Sequence, residues 1–401
     1  MNSPLISMSR RLRKTPFTSR VMRYGVKAFT VYNRMLLPTE FDSLQEDYWH
    51  LCCDVQVWDV GAERQVSIKG PDADRLVQWM TPRNISKVAL DQCAYLPLAD
   101  EHGKLVNDPV GIRLAEDHWW LSVADSDVIL WAKGLARGAG LRVAVTEPDV
   151  WPLAVQGPKA EDLVARVFGE EIRQIRFFRY RRMAYRTSQF IVARSGWSKQ
   201  GGFEIYVNDV NAGQQLYDEL FAMGEDLNVR PGSPNLIERM ESGLLSFGND
   251  MDSRHSVLEA GLGSFVSLDD DIPSLSHAAL RAERERPAQR RLLGLMIDAE
   301  DGPMPVSEQP FTAQSVDEEH PYGSLQEALF LSEQTGHSLG SQVYSPRFRK
   351  QLATVMIEEP LLSEVEHHGQ CEVVLEDGQR VTARVCTLPF DFTWMESSMV
   401  V

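Results

Sequence analysis

Residues 193–207 read ARSGWSKQGGFEIYV. Gly196, Gly201 and Gly202 fall within seven residues and announce a turn. Strict alternation follows. Phe203, Ile205 and Val207 share one face, and Glu204 and Tyr206 share the other. The pattern predicts a strand with one apolar face against a core. Its other face is open to two readings. It is a polar face toward solvent, or it presents a carboxylate and a phenol to a ligand.

Outward from that strand, the chain repeats itself. VSIKGPDADRLVQWM at 66–80 echoes LAVQGPKAEDLVARVF at 153–168. Each is a strand, a Gly-Pro turn and a helix with apolar residues at three-and-four spacing. The first of these helices is expected to start behind Asp72 as its cap. Two related α+β units are the natural reading. The composition shifts near 280–292, where ALRAERERPAQRR suits a linker or an exposed helix end. Short strands with turn signals are then expected at 292–298, 339–344, 352–358, 371–376 and 381–388, as in a small all-β domain. The fold class is therefore α+β. The expected divisions are 1–145, 146–285 and 286–401.

The bulk properties narrow the function. With 401 residues the chain is too long for one ordinary core. The formal net charge of −16 repels phosphate backbones, so no nucleic-acid partner is expected. No apolar run is long enough for a membrane span. Five cysteines, at 52, 53, 93, 371 and 386, form no C-x-x-C, and the nine histidines show no zinc-binding spacing. A reducing compartment, the cytoplasm, and no metal are expected. Residues 1–39 carry eight Arg or Lys and no acid. Such composition resembles a transit peptide, but Phe17, Tyr24, Phe29, Tyr32 and Met35 are interleaved through it. The segment is read as part of the fold and as a place to receive an anion.

Two motifs need weighing. In HGKLVNDPVGIRL (102–114), Asn107 and Asp108 interrupt an otherwise apolar strand just before Pro109. A carboxylate there needs a partner or a purpose; a backbone-bonding Asp at a proline-forced bulge is the other reading. Gly336-His337-Ser338-Leu339-Gly340 matches the nucleophile elbow in text only. Its β-rich surroundings make it a hairpin turn.

KLVNDPV (104–110), AVQGPKA (154–160), RSGWSKQGGFEIYV (194–207), ESGLLSFGNDMD (241–252), LEAGLG (258–263), YSP (344–346) and LPF (388–390) occur in that order. Together they resemble the folate-dependent aminomethyltransferase family typified by the glycine-cleavage T-protein, over roughly residues 20–390. SRRLRKTPFTSR (9–20), VYNRMLLP (31–38), VQVWDVGAERQV (55–66), WWLSVADSDV (119–128) and PNLIER (234–239) look like the branch that demethylates dimethylsulfoniopropionate.

The resemblance implies a three-domain cloverleaf, with two related α+β domains and a C-terminal small β-barrel. It implies tetrahydrofolate as cofactor and a small-molecule methyl donor as partner. The implied reaction moves a methyl from the sulfonium to N5 of tetrahydrofolate, giving methylmercaptopropionate and 5-methyltetrahydrofolate. By the same resemblance, Asp108 is the catalytic acidic residue and Glu204 holds the pterin. Tyr206 faces the substrate, and Trp197 offers an indole face to the sulfonium and the folate. Phe17 and Tyr95 wall the pocket. Lys14, with Ser122 as second donor, receives the substrate carboxylate or the folate tail. Arg239 keeps the second Arg of a family motif whose first position is Asn235 here. Trp394 is a candidate cover for the folate. A homodimer would be ordinary for such an enzyme. Two alternatives stay open: a transferase acting on a methylated amine or a lipoyl-bound aminomethyl group, and a folate-binding protein without turnover.

Overall fold

The computed structural model describes residues 9–269, 272–299, 339–374 and 380–390. The stretch at 202–207 is a strand, Gly202–Val207, in the middle of a six-stranded sheet. The order across that sheet is Tyr180–Tyr185, Ser188–Ala193, Gly202–Val207, Trp151–Gln156, Val55–Asp59 and Val229–Gly232. All neighbours are antiparallel except the last pair. Phe203, Ile205 and Val207 enter the core beneath helices Ala160–Phe168 and Val210–Met223. Glu204 and Tyr206 are 8 % and 2 % exposed. The solvent-facing reading of that second face is thereby overturned: another sheet covers it.

The covering sheet has five strands, in the order Ala144–Thr146, Gln65–Lys69, His118–Ser122, Val110–Ala115 and Cys93–Tyr95. Helices Ala73–Met80 and Val128–Gly138 close its outer face with a core that includes Ile68, Leu76, Trp119 and Leu121. Between the two sheets, Cys93, Ile112 and half-buried Trp120 meet Ile191, Ala193 and Tyr206. This apolar seam sets Glu204 and the loop before Val110 on facing layers.

The internal echo is real. Each copy turns at a glycine with positive φ, Gly70 at 142° and Gly157 at 120°. A Cβ at Gly70 would strike the Arg142 carbonyl oxygen, and one at Gly157 the Asp54 carbonyl oxygen. Only glycine permits that conformation and that approach. Asp72 does not cap its helix. Its carboxylate accepts from the Arg142 backbone N–H at 2.8 Å instead, tying the neighbouring strand to the turn.

The N-terminal residues serve the six-stranded sheet. Phe17, Val21 and Phe41 lie in its core, and strand Val55–Asp59 pairs with Trp151–Gln156. Thr15 donates to Asp59 Oδ2 at 2.5 Å. The basic segment is thus folded in from residue 9 onward, as expected.

The charged stretch after 277 forms helix His277–Arg284 and leads into strand Arg290–Asp298. The C-terminal strands order as Leu339–Ser345, Lys350–Glu358, Arg290–Asp298, Arg380–Cys386 and Gln370–Val374. Among the described residues this sheet is open, with helix Leu361–His368 packed on it. Gly336, His337 and Ser338 of the elbow-like motif, and Trp394, lie outside the described residues. Leu339 and Gly340 already belong to a strand.

Candidate active site

Glu204 is clamped from its own layer. Ser195, from the Gly-rich turn, donates to Glu204 Oε2, and the Tyr206 hydroxyl donates to the same oxygen at 3.4 Å. The partner Ser195 arrives because Gly196 has φ 152° and presses on the Gln156 amide, where no Cβ fits. Gln156 in turn holds the Ser195 carbonyl at 3.1 Å. Among the described residues no Lys, Arg or His forms an ion pair with Glu204. Burial raises its carboxyl above the ordinary glutamate value, against the lowering effect of the two hydroxyls.

Asp108 sits between strands Leu105–Asn107 and Val110–Ala115. Asn107 is fully buried and structural: its Oδ1 accepts from the Ala124 N–H at 3.1 Å and its Nδ2 donates to Ser126 Oγ at 3.0 Å. Asp108 instead remains half-buried, and Tyr95 donates to its Oδ2 at 2.9 Å. Burial pushes the Asp108 carboxyl up to about 7, with a further push from the Asp250 charge. A carboxylate that trades its proton near neutral pH is suited to general-base work.

A third carboxylate, absent from the expectations, belongs to the same place. Glu63 lies just before strand Gln65–Lys69 and is half-buried. Desolvation, and then the facing charge of Glu204, push it up to about 8, and Asp108 adds to the effect. Ser122 Oγ stands 3.4 Å from Glu63 Oε2 and accepts from Gln65 Nε2 at 2.8 Å. Register explains the contact, since Gln65 and Ser122 are cross-strand partners. Tyr32 joins the group: burial raises its phenol, and the charges of Glu63 and Asp108 raise it further. Tyr32 ends the hairpin Ala28–Tyr32 and Met35–Glu40. At the turn, Asn33 adopts φ 49° and its Nδ2 donates to the Ala62 and Val123 carbonyls. The basic N-terminal segment therefore contributes a phenol here.

The structure thus brings Asp108, Tyr95, Glu204, Tyr206 and Ser122 together, with Glu63 and Tyr32. It places the other expected residues elsewhere. Phe17 is wholly buried in the helical core, stacked on Tyr217 at 5.9 Å. Lys14 is exposed. Ser122 points at a carboxylate, Glu63, and so is a poor host for a second one. Arg239 is 3 % exposed, pairs with Asp250 at 2.7 Å and donates to Ser341. It ties helix Leu236–Ser242 to the C-terminal sheet. Asn235, at the altered motif position, caps that helix by accepting from the Ile237 and Glu238 N–H groups at 3.0 and 3.2 Å. Trp197 lies beneath the Arg239 guanidinium, 5.7 Å from ring centroid to Cζ. It lines a hollow of about 250 Å³ with Pro234, Leu236, Asn249 and Gln342.

No helix among the described residues is long and apolar enough to cross a membrane, and they hold no cluster of three metal-ligating side chains.

The sheet architecture has a close counterpart. The crystal structure of the glycine cleavage system aminomethyltransferase T from Bartonella henselae matches with a TM-score of 0.74. That match has 20% sequence identity and covers 95% of this chain and 98% of the other. The fold is that of an aminomethyltransferase. A family model described as the GCVT N-terminal domain matches residues 17–270. The chain is 54% identical over 295 residues to dimethylsulfoniopropionate demethylase DmdA of Ruegeria pomeroyi, covering 74% of this chain and 80% of that protein. It is 28% identical over 300 residues to an aminomethyltransferase of Lysinibacillus sphaericus, covering 73% and 80%. The chain belongs to the GCVT, or aminomethyltransferase, family.

Proposed function

We infer that this protein is a tetrahydrofolate-dependent demethylase. It transfers a methyl group from the sulfonium of dimethylsulfoniopropionate to N5 of tetrahydrofolate, giving methylmercaptopropionate and 5-methyltetrahydrofolate. The observation that carries the donor is the 54% identity to DmdA over most of the chain, well above the 28% to an aminomethyltransferase.

The residues fit the cofactor. Glu204 is a buried carboxylate held by hydroxyls and by no cation, so it keeps acceptor capacity for an amide N–H and an adjacent amine. It would hold the pterin edge. Tetrahydrofolate, when bound, supplies the nucleophilic nitrogen. Asp108 Oδ1, free of the Tyr95 bond to Oδ2, would accept the proton released at that nitrogen, and Tyr95 keeps the carboxylate aimed. A sulfonium departs as a neutral thioether, so the protein need not form a covalent intermediate. Its task is alignment and exclusion of water. Tyr206 and Trp120, whose ring centroids lie 6.3 Å apart, supply an apolar wall. In this reading Arg239 and Trp197 brace the folate-binding layer against the C-terminal sheet, and Phe17 supports the strand carrying Tyr206 from behind. Exposed Lys14 remains available for the anionic folate tail.

The same reading takes 1–145 and 146–285 as the two halves of the folate-binding core and 286–401 as a third unit that closes as a barrel. It is supported by the separate apolar core of the C-terminal sheet. The activity is tested by following 5-methyltetrahydrofolate and methylmercaptopropionate together from tetrahydrofolate and dimethylsulfoniopropionate. Equal accumulation supports it, and thioether without methylfolate refutes the folate route.

A further inference from the structure

Glu63 feels the charges of both Glu204 and Asp108, and the function above employs only those two. Among the described residues none of the three forms an ion pair with Lys, Arg or His. The Glu63 carboxylate has one hydrogen bond among the described residues, the long contact from Ser122. Such a carboxylate is costly to keep ionised in a desolvated recess unless a cation visits.

The surroundings of Glu63 are built to accept, not to donate. Gln65 is 1 % exposed. Its Nε2 is spent on Ser122 Oγ at 2.8 Å and on the Glu63 carbonyl at 3.1 Å. Its Oε1 is buried and has no partner. Ser122 has its hydroxyl proton toward Glu63 and its lone pair on Gln65. Tyr32 and Tyr206 both feel the Glu63 charge. A sulfonium offers no N–H or O–H. It is recognised by counter-charge and by aromatic neighbours, and Glu63 near Tyr32 and Tyr206 brings the two together.

We propose that Glu63 is the counter-ion that receives the sulfonium of the methyl donor, and hence the residue that selects an onium donor over a neutral analogue. The inference rests on the demethylase reading above. It also accounts for product release. Methyl transfer moves the positive charge off sulfur, so the neutral thioether loses its attraction to Glu63.

The test compares dimethylsulfoniopropionate with its carbon isostere lacking the sulfonium charge, 4-methylpentanoate, by calorimetry on the full chain without tetrahydrofolate, so that no turnover adds heat; tetrahydrofolate binding is measured separately. Wild-type protein binds the sulfonium at least about tenfold more tightly, since a desolvated opposite charge is worth 1.4 kcal/mol or more. Glu63→Gln loses about 10- to 100-fold for the sulfonium, while its affinities for 4-methylpentanoate and tetrahydrofolate stay within about twofold. Glu63→Asp recovers part of the preference. A variant that weakens both ligands equally, or neither, overturns the proposal. So does a wild type that binds the two alike, a measurement needing no variant. A wild type that binds tetrahydrofolate but not the sulfonium defeats the demethylase reading itself, and this inference with it.

Discussion

The Tyr95 hydroxyl donates to Asp108 Oδ2 at 2.9 Å. The two residues are 13 apart, on a strand and on the loop that precedes its partner strand. The bond opposes burial: it lowers the Asp108 pKa, while desolvation pushes it up to about 7. Burial and the Asp108 charge also keep the Tyr95 phenol protonated, so the donor persists through any working pH.

Tyr95→Phe should therefore raise the Asp108 pKa further. Because the ionised form accepts the proton, the acid limb of the kcat profile moves to higher pH. Turnover falls several-fold near pH 6.5 and recovers toward pH 9. An unmoved limb would detach Asp108 from the proton step.

Asp108→Asn should cost on the order of 10²- to 10⁴-fold in kcat, the usual worth of a positioned base. The fold should survive. Asp108 has a folded pKa raised above its unfolded value. Its favourable contribution is present below about pH 4 and is lost as pH rises toward 7. Asn carries no such loss. The variant's Tm should match or exceed that of the wild type at pH 8, with the gap closing as pH falls toward 4. Thermal melts at the two pH values check the sign.

Ser195→Ala removes the hydroxyl that fixes Glu204. A hydrogen bond to a charged group is worth about 1.5–3 kcal/mol. If Glu204 holds the pterin, the Kd for tetrahydrofolate rises about 10- to 100-fold, while the KM for the methyl donor changes little. Equal weakening of both would indicate a general loss of the site.

Arg239→Ala tests a different assignment. The side chains of Arg239 and Asp250 are 4% and 0% exposed, and their ion pair joins helix to sheet. Removing one partner strands a buried charge at a cost of about 3–5 kcal/mol. A fall in Tm is expected as the main effect, with folate affinity following stability. Normal stability with lost folate binding would return Arg239 to direct contact with the cofactor.

The parts of the site that were legible in sequence share one property: a local pattern betrays them. Glu204 and Tyr206 stand out by period-two alternation after a Gly-rich turn, and Asp108 stands out as a charge inside an apolar run. Glu63 and Tyr32 carry no such signal. Glu63 precedes its strand in a polar loop, and Tyr32 ends a hairpin of ordinary composition. Only the pairing of Gln65 with Ser122 and the Asn33 contacts to residues 62 and 123 bring them to the recess. Phe17 misled for the converse reason, because an aromatic residue in a basic segment reads equally well as pocket wall or as core. Asp72 did so too. A helix-start aspartate predicts a cap, and here the Arg142 backbone N–H, just before strand Ala144–Thr146, takes the carboxylate first. The two related units were legible because their Gly-Pro turns answer the same steric demand at Gly70 and Gly157. The expected closure of the C-terminal strands is not seen among the described residues, where the sheet is open; strand periodicity says nothing about which edges meet.

The most direct test of the central claim is anaerobic incubation of the purified protein with tetrahydrofolate and dimethylsulfoniopropionate carrying deuterated S-methyl groups, followed by mass spectrometry of the folate pool. One trideuteromethyl group on tetrahydrofolate per methylmercaptopropionate released is the predicted result. Folate that stays unlabelled while thioether accumulates would contradict the account.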